Sequence, residues 1–481
     1  MNAFKKIIFG LCIMSSNLLF FNACDDANDP LPAPPIVGQI GNGDQEFNIT
    51  KDTVYKKGTY ILKGWVSITD GVTVTFEPGT IIKGDKDTKA ALIVQRGGKL
   101  MARGTATEPI VFTSNQPAGN RKPGDWGGLI ICGKAKNNNS ANMPIEGGPN
   151  APHGGDNDND NSGIISYVRI EFAGYPFEPD QEINGITFGS VGKGTQADHI
   201  QVSYSNDDSF EWFGGSVNAK YLVAYHGWDD DFDTDYGYSG KLQFLLGVRN
   251  PKIADTSLSN GFESDNNKDG STQQPYTSCV FSNVTLVGPI GQASDFQNTS
   301  DYINGGNYNP HNGSKLGIFQ SAMQVRRNSR LSCFNSVAFG FPVGLIIEND
   351  KGSTTQTWAT EGLLKLKNLH FAEMTVLGSD ANKSFEDNNS FSAAFFKKEE
   401  NNNHIYETIA DLKLKQPNSI LSNPNWGPSA GSPLLGAGSF TDPLLQSGFE
   451  KVDYIGAFKS DSDTDNWMKG WTNFDPQNTE Y

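Results

Sequence analysis

The chain has 481 residues, of which 36% are hydrophobic, and its 54 acidic and 38 basic residues give a formal net charge of −16 at pH 7. A surface this acidic repels nucleic acid and anionic lipid and attracts cations or basic partners. The composition therefore argues against nucleic acid as a partner. Beyond the N-terminal leader, no stretch approaches the roughly 20 consecutive apolar residues that span a bilayer.

The N-terminus has the layout of a secretory leader. Lys5 and Lys6 form a short basic region, and residues 7–21, which follow, are mostly apolar. This run is too short and wrongly flanked for a transmembrane helix, so we predict that residues 1–23 are a signal peptide. The cysteine at the cleavage point, Cys24, resembles the acylated cysteine in the lipobox of bacterial lipoproteins. The resemblance predicts that Cys24 is lipidated and holds the protein on a membrane.

Composition then separates a tether from a long β-rich region. Residues 24–46 are rich in Pro, Gly and Asp, which predicts a flexible tether that begins at the lipid. Residues 47–380 consist of short β-type runs separated by Gly, Asn and Asp, without a convincing amphipathic helix. We therefore predict an all-β fold for this region.

The β-type runs repeat at a nearly constant interval in the central part of the chain. Segments that begin at His199, Lys220 and Lys241 follow one another at equal spacing, and acidic segments that begin at Asp207 and Asp229 repeat at almost the same spacing. This period, about 21–22 residues, fits one rung of a parallel β-helix, in which each strand pairs with its copy one rung later. A leucine-rich repeat has a similar period, but its Leu-x-x-Leu-x-Leu framework is missing, and a β-sandwich has no fixed period. The repeat therefore predicts a solenoid.

Residues 381–481 are predicted to form an irregular C-terminal region that caps the coil. The last rung of a solenoid exposes apolar residues and unpaired strand edges, which must be covered. The segment 467–476 (WMKGWTNFDP) has the aromatic content to cover them. We expect one continuous coil without an internal domain boundary, closed at its C-terminal end by this region.

Several phrases resemble a family of bacterial surface lipoproteins that have the pectin-lyase-like right-handed β-helix. They are GTIIKGD, EPIVFTS, DWGGLIICG, VRIEFAG, NGITFGSVG, FEWFGG and VDYIGAF. The resemblance covers nearly the whole mature chain and implies a right-handed coil on the outer membrane, often on its outer face. Asp25 and Asp26 resemble the export signal that follows the lipidated cysteine in such proteins. An outer-membrane transporter is the partner that the resemblance suggests.

Four segments place an acidic residue directly after a large apolar one. They are Phe210-Glu211-Trp212-Phe213, Phe232-Asp233-Thr234-Asp235, Phe262-Glu263-Ser264-Asp265 and Ile347-Glu348-Asn349-Asp350. Because alternate residues of a strand face opposite sides, the apolar residue is predicted to point into the core and the acids to point outward. The spacing of the first three segments predicts consecutive rungs, with a small loop in the second interval.

Stacked acids of this kind require a counter-charge or free contact with solvent. Carboxylates ~4.8 Å apart in neighbouring rungs repel by roughly 0.9 kcal/mol in water. Ca²⁺ suits the geometry because it takes six to eight oxygen ligands. The predicted metal ligands are Glu211, Asp233, Asp235, Glu263 and Asp265. Further residues predicted to contact a ligand are Asp208, Asp230, Trp212, Trp228, Glu348 and Asp350.

Other interpretations of this region stay open at this point. The acids could form a solvated ladder in turns, where Asp and Asn hydrogen-bond the backbone. Trp212, Trp228, Tyr236 and Tyr238 could form a platform that stacks on sugars, or belong to the core. His226 could be a ligand or proton carrier, although a lone His is usually structural. Arg326, Arg327 or Lys241 could supply the base that a lyase needs, but their spacing does not place them near the acids.

Three cysteines follow Cys24 in the chain, namely Cys132, Cys279 and Cys333. This odd number permits at most one disulfide. Cys279 and Cys333 follow a serine at the start of similar runs and could stack in adjacent rungs and pair, as expected in an oxidising compartment. Buried free thiols are the alternative that we favour.

The motifs narrow the function without identifying a ligand. The sequence contains no Gly-x-Ser-x-Gly elbow, P-loop, dinucleotide fingerprint, zinc Cys/His pair or His-Glu-x-x-His motif. We therefore predict a non-enzymatic surface lipoprotein that binds an extracellular ligand, with help from Ca²⁺ as a cofactor. The alternative is a carbohydrate-active enzyme, either a polysaccharide lyase or a glycosidase, since such enzymes need only carboxylates and a base or second carboxylate.

The lipid anchor gives a direct test. In cells, Cys24→Ala should release the protein from the membrane fraction or leave it with an uncleaved leader, because the acylated thiol is gone. Cell fractionation and the mass of the mature chain measure both effects. Unchanged membrane association together with normal processing would refute lipidation, and protease added to intact cells tests surface display separately.

Overall fold

The computed structural model describes residues 35–481 except positions 146, 148, 150, 179–180, 382–387 and 418–423. The predicted signal peptide, Cys24, Asp25 and Asp26 lie outside the described residues. No helix in the described part is long and apolar enough to cross a membrane. The described chain is a right-handed parallel β-helix, as the repeat and the resemblance predicted.

Two long parallel sheets run along the coil. We name them sheet B, described first, and sheet A. The strands of sheet B pair in the order Phe47–Ile49, Trp65–Ile68, Ala91–Val94, Gly128–Cys132, Ile186–Gly189, Phe210–Phe213, Phe232–Asp235, Phe262–Ser264, Ser321–Val325, Val343–Ile347 and Val376–Ser379. Each strand pairs in parallel with its copy in the next rung. Side chains at one position of the rung therefore form columns along the coil.

Sheet A forms the opposite wall of the coil. Its strands pair in the order Ile36–Ile40, Thr59–Leu62, Ile81–Gly84, Ile110–Ser114, Gly163–Glu171, Gln196–Ser203, Ala219–Tyr225, Lys241–Val248, Val280–Val287, Ser332–Phe339, Leu366–Ala372 and His404–Tyr406. A second row, Thr53–Tyr55, Thr73–Phe76 and Lys99–Arg103, joins this sheet at Gly163–Glu171. That long strand pairs with both rows, so the separate rows become one from there on.

Helices are short and lie in the connections. The α-helices are Pro289–Gln292, Thr355–Thr360 and Phe391–Phe396, and the 3₁₀ turns are Gly306–Tyr308, Glu399–Asn401, Ile409–Leu412 and Pro443–Leu445. Two small antiparallel hairpins, Met143–Pro144 with Pro152–His153 and Pro176–Glu178 with Gln181–Glu182, project from the coil. Within the described residues, the regular structure is therefore overwhelmingly the coil itself.

The coil extends further than the predicted boundaries of residues 47 and 380. Ile36–Ile40 pairs with Thr59–Leu62, although it was assigned to the tether. At the other end, His404–Tyr406 pairs with Leu366–Ala372, inside the predicted C-terminal region. Both end strands are short and carry exposed apolar side chains, so composition alone did not mark them as β-structure.

The C-terminal region has two parts, only one of which caps the coil. The helix Phe391–Phe396 packs under the last rungs, where the ring centroids of Phe396 and Phe371 are 4.4 Å apart. Residues 424–481, which we name the C-terminal strap, instead run back along the outside of sheet A. The expectation that segment 467–476 covers the C-terminal end was therefore wrong. Its Trp471 lies against Tyr167, with ring centroids 5.9 Å apart, near the middle of the coil.

The strap follows a column of residues in left-handed backbone conformation. Tyr167, His199, Tyr221, Phe244, Asn283, Asn335 and Asn368 occupy equivalent positions and have φ between 50° and 61°. Each interrupts the pairing of its long strand and turns its side chain toward the strap. Three of them, Asn283, Asn335 and Asn368, donate amide hydrogens to strap carbonyl oxygens at 2.8–2.9 Å. These bonds, with the aromatic contacts, hold the strap along sheet A.

All three cysteines of the described chain, Cys132, Cys279 and Cys333, are buried free thiols. Cys333 pairs with Phe281 rather than with Cys279, so the two cysteines are two positions out of register. Cys279 and Cys333 therefore do not form a disulfide. Burial raises the pKa of each of the three thiols to about 12.

The interior is filled by columns of apolar side chains, of which an aromatic stack is the clearest. Phe210, Phe232 and Phe262 pair in register on successive strands, and their ring centroids are 5.5 Å apart at both steps. All three side chains are fully buried. The predicted inward orientation and consecutive rungs are thus confirmed.

This stack predicts the response to mutation. Phe232→Ala should lower the free energy of unfolding by about 3–5 kcal/mol, because a buried ring leaves a cavity between two other rings. Phe232→Leu keeps most of the volume and should lose clearly less. Urea unfolding followed by circular dichroism measures both values. Equal, small losses for the two variants would contradict the stacked arrangement.

Candidate functional site

The predicted acidic ladder is assembled on the outer face of sheet B. Glu211, Asp233 and Glu263 pair in register on three successive strands. Two residues further along, Asp265 follows Asp235, as the hydrogen bond from the Asp265 amide to the Thr234 carbonyl shows (2.9 Å). The spacing of the acidic segments therefore predicted this stacking correctly, since the extra length of the second interval lies in an insertion between rungs.

The acids line a cavity of about 530 Å³ rather than an open surface. Insertions 249–261 and 288–320 contribute to its walls through residues 255–257 and 313–315. Although Glu211 and Asp265 point away from the core, they are only 4% and 3% exposed. The alternative of a freely solvated ladder is therefore wrong for these residues, because the insertions cover them.

A second acidic column lies just before the strands and has a structural role. Oδ1 of Asp208 accepts a hydrogen bond from the Asp230 amide at 2.7 Å, and Oδ1 of Asp230 accepts one from the Asn260 amide at 2.5 Å. Oδ1 of Asn260 in turn accepts from the Ser321 amide at 3.0 Å. One oxygen of each aspartate thus joins neighbouring rungs, and of the two side chains that of Asp208 lines the cavity.

Asn184 belongs to the same column one rung earlier and was missed by the sequence analysis. The amide of the following residue, Gly185, donates to the Asp208 carbonyl at 2.8 Å. Asn184 lines the cavity and is 3% exposed, and its Oδ1 has no hydrogen-bond partner among the described residues. Aligning the phrase NGITF with DSFEW by their strands would have placed it beside Asp208.

Crowding and burial raise the pKa values of these carboxyl groups. Burial is the largest cause for Asp208, Asp233 and Asp235, and the charges of neighbouring acids raise each pKa further. Burial, followed by the charge of Asp255, raises the pKa of Asp229 to about 8. Without a counter-ion, burial and crowding therefore favour the protonated forms of these carboxyl groups more than free solvent does.

Two arginines close one end of the acidic columns. Arg326 follows Asp265 in its column and forms ion pairs with Asp265, at 2.9 Å, and with Glu263. Arg327 pairs with the other oxygen of Asp265 at 2.5 Å. Burial alone lowers the pKa of Arg326, but the charges of Asp265 and Glu263 outweigh it and raise that pKa well above its usual range.

Glu348 and Asp350 do not line the cavity. The strand Val343–Ile347 pairs so that Leu345, not Ile347, follows Met323 and Phe262 in the inward column. Glu348 therefore stands beyond Arg326, and burial raises its pKa to about 7, while Asp350 is exposed. Glu348 and Asp350, which were predicted to contact a ligand, are therefore separated from the cavity that the other acids line, although Ile347 points into the core as predicted.

The aromatic platform is also corrected. Trp212 follows the inward Phe210 by two positions and is fully buried, with its ring 5.7 Å from Phe188 inside the coil. Trp228 is fully buried in a separate cluster, and neither indole lines the cavity. Strand alternation already required the inward position of Trp212. The aromatic residues that do line the cavity are Phe213 and Tyr236.

The remaining candidates lie elsewhere or were not foreseen. His226 is buried beside Tyr204, and burial lowers its pKa to about 3, so it is neutral and structural. Lys241 lies in sheet A and donates to the Ser447 carbonyl of the strap at 2.7 Å. Two exposed lysines, Lys268 and Lys315, line the cavity, and their positions in insertions gave no periodic signal.

Three groups of carboxylates bring their oxygens together closely enough to hold a metal ion. The groups are Asp207 with Asp208 and Asp229, Asp208 with Glu211 and Asp233, and Asp230 with Asp233 and Glu263. Within each group the ligand atoms lie within 4.8 Å of one another. This all-oxygen donor set fits a hard cation such as Ca²⁺, whose bonds to oxygen are ~2.3–2.6 Å long. Asp235 and Asp265, also predicted as ligands, belong to none of the three groups.

A comparison with protein families agrees with the fold. A family model described as a pectate-lyase-like beta helix domain matches residues 47–413. No curated protein matches the chain. Among solved structures, pectate lyase Pel9A is 12% identical, with a TM-score of 0.33 over 86% of this chain and 97% of that chain. The Dettilon tailspike protein (gp208) is 10% identical, with a TM-score of 0.27 over 74% of this chain and 62% of that chain.

The raised pKa of Asp229 predicts how stability depends on pH. A carboxyl whose pKa is about 8 in the folded protein and ~3.9 in the unfolded chain binds more protons when folded. In chelator, the melting temperature should therefore fall as the pH rises from 5 to 8. Asp229→Asn should show a shallower fall, as should wild type in excess Ca²⁺. Differential scanning calorimetry measures this, and a melting temperature that rises over the same range would contradict it.

Proposed function

This chain belongs to the family of pectate-lyase-like β-helix proteins, and we propose that it is a surface lipoprotein whose acidic cavity binds Ca²⁺ and, through it, an extracellular ligand. The observation that carries the proposal is the group formed by Asp208, Glu211 and Asp233, whose oxygens lie within 4.8 Å of one another. Attachment to the outer membrane through Cys24, on its outer face, and work beside a transporter are part of the proposal and derive from the sequence.

The chemistry of the cavity favours Ca²⁺ over a transition metal. The three carboxylate groups contain no histidine or cysteine, and soft metals prefer nitrogen or sulfur ligands. Oxygens on opposite sides of a Ca²⁺ ion are separated by up to ~5 Å, which matches the spacing within each group. Backbone carbonyls, the Asn184 amide and water can complete a coordination shell of six to eight oxygens.

The placement of basic residues indicates where the cation lies. Arg326 and Arg327 offset part of the negative charge at Glu263 and Asp265, with which they form ion pairs. Among the described residues, neither Asp208 nor Asp233 forms an ion pair with a basic side chain. The attraction for a cation is therefore greatest toward Asp208 and Asp233, away from the arginines.

The cavity lining also suggests the chemistry of the ligand. Lys268 and Lys315 line the cavity, are exposed, and form no ion pair with the acids within the described part of the chain. A bound Ca²⁺ and these ammonium groups together would attract a carboxylate, sulfate or phosphate. We therefore propose an anionic glycan as the extracellular ligand, held by Ca²⁺ and by the lysines.

A carbohydrate-active enzyme is the second candidate, because a strong base, Arg326, lies in the same cavity as the acids. A lyase would need Arg326 to lose a proton, but its ion pairs with Glu263 and Asp265 hold the pKa above its usual range. This opposes base catalysis by Arg326 and favours the binding role. Incubation with a panel of neutral and anionic polysaccharides separates the candidates. Unsaturated or new reducing ends would favour the enzyme, and binding without products the lipoprotein that we propose.

Cation binding should be visible as thermal stabilisation. A ligand that binds only the folded state stabilises it by about 2.7 kcal/mol at a hundredfold excess over Kd. Ca²⁺ should therefore raise the melting temperature of wild type but have much less effect on the double variant Asp233→Asn/Glu263→Gln, which has lost two carboxylates. Asp350→Asn, which changes an exposed acid outside the cavity, is the matched control and should respond as wild type. Equal melting temperatures of wild type in Ca²⁺ and in chelator would contradict the proposed cation site.

A further inference from the structure

The carboxylate groups of the cavity are not independent, because neighbouring groups share residues. Asp233 belongs both to the group with Asp208 and Glu211 and to the group with Asp230 and Glu263. We propose, on the basis of the proposed function, that the cavity holds two divalent cations bridged by Asp233. Asp208 and Glu211 complete the first site, and Asp230 and Glu263 complete the second.

The hydrogen bonds leave suitable oxygens for both ions, including Oε2 of Glu263, since Arg326 donates to its Oε1. Oδ1 of Asp208 and Oδ1 of Asp230 accept backbone amides of the next rung, which fixes both side chains and leaves their Oδ2 atoms for the cations. Oδ1 of Asp233 is buried and has no hydrogen-bond partner among the described residues. One Asp233 carboxylate can therefore give one oxygen to each ion without breaking a hydrogen bond.

Asn184 is an independent observation that points to a ligand at the first site. Its side chain is 3% exposed and lines the cavity, and its Oδ1 lacks a partner within the described chain, although the equivalent oxygens of Asp208 and Asp230 bind backbone amides. An unpaired buried amide oxygen costs about 1–3 kcal/mol. A cation beside Asp208 would satisfy this oxygen, since amide oxygens are ordinary Ca²⁺ ligands.

The charge of the cavity calls for more than one divalent ion. Nine acidic and four basic side chains line it, and Asp230 of the second site adds a tenth acid, so six negative charges are in excess when all of these groups are ionised. One divalent cation still leaves four uncompensated negative charges in a covered site, whereas two cations leave two. Burial makes this remaining negative charge costly, because the repulsion between charges grows as the effective dielectric falls.

The third carboxylate group is the least suited to an ion of its own. Asp229 already accepts a hydrogen bond through Oδ2 from the Ser257 hydroxyl. The group also shares Asp208 with the first site. Oδ1 of Asp208 already accepts a hydrogen bond from a backbone amide, so only its Oδ2 is left. Two ions therefore use the available oxygens better than three.

Stoichiometry and isosteric amide variants test this arrangement. Isothermal titration with CaCl₂ and native mass spectrometry should find two ions per chain in wild type and in the Asp350→Asn control. Asp208→Asn and Glu263→Gln should each retain one ion, and Asp233→Asn should lose most of the affinity for both. Because amides remove repulsion without changing shape, the variants should fold, and circular dichroism in chelator checks this.

The proximity of the two ions has its own readout. With mixed Tb³⁺ and Eu³⁺, energy transfer between the lanthanides should occur in wild type and vanish in Asp208→Asn and Glu263→Gln. Asn184→Ala should weaken the first ion about tenfold, at the lower end of what loss of a supporting polar group costs a metal site, and leave the second ion in place.

The outcomes separate this inference from the proposed function. One Ca²⁺ per wild-type chain, reduced by both Asp208→Asn and Glu263→Gln, would overturn the bridged pair while leaving a cation-binding cavity. A third ion in wild type would also overturn it. No Ca²⁺ binding to a folded wild-type chain would refute the proposed function itself.

Discussion

In-register stacking of each strand on its copy is the constraint on which the rest of the structure depends. Neighbouring strands are ~4.8 Å apart, so side chains at one rung position contact each other whatever their chemistry. On the inside, this rule stacks Phe210, Phe232 and Phe262, and buries apolar surface. On the outside, two residues of the same register, Glu211 and Asp233, are forced together. One geometric rule thus produces both a buried aromatic column and a column of crowded acids.

The repulsion between the stacked acids is offset in different ways along the cavity. Oδ1 of Asp208 is tied to the next rung by a backbone amide, and Glu263 is paired with Arg326. Between these ends stands Asp233, with a buried oxygen that has no hydrogen-bond partner within the described chain. Protonation can neutralise it, as its raised pKa indicates, but a cation would neutralise it while also joining three strands. The electrostatics therefore favour a cation beside Asp233, which within the described chain pairs with neither a backbone amide nor an arginine.

How far the sequence could predict this site depended on its periodicity. The intervals between Phe210, Phe232 and Phe262 located these residues correctly, since strand pairing copies the pattern from rung to rung. Over the much longer interval to Ile347, insertions hid the register, so the sequence did not show that Glu348 and Asp350 lie outside the cavity. Trp212 was wrongly predicted to contact a ligand for another reason. Its aromatic character favoured a binding role, whereas strand alternation places it in the core. The course of the strap depends on contacts between distant residues, for which the sequence has no period.

The sequence also could not predict that insertions cover the cavity, because their contacts follow no period. This cover nevertheless determines how strongly the acids interact. Insertions 249–261 and 288–320 follow neighbouring rungs of sheet A, so both emerge beside the same acidic face of sheet B. A carboxylate pair ~4.8 Å apart repels by roughly 0.9 kcal/mol in water but by about four times as much at an effective dielectric of 20. The attraction of the same acids for a cation grows in the same proportion. By covering the acids, the insertions reduce their screening by water and salt, so both their mutual repulsion and their attraction for a cation are stronger than on an open surface.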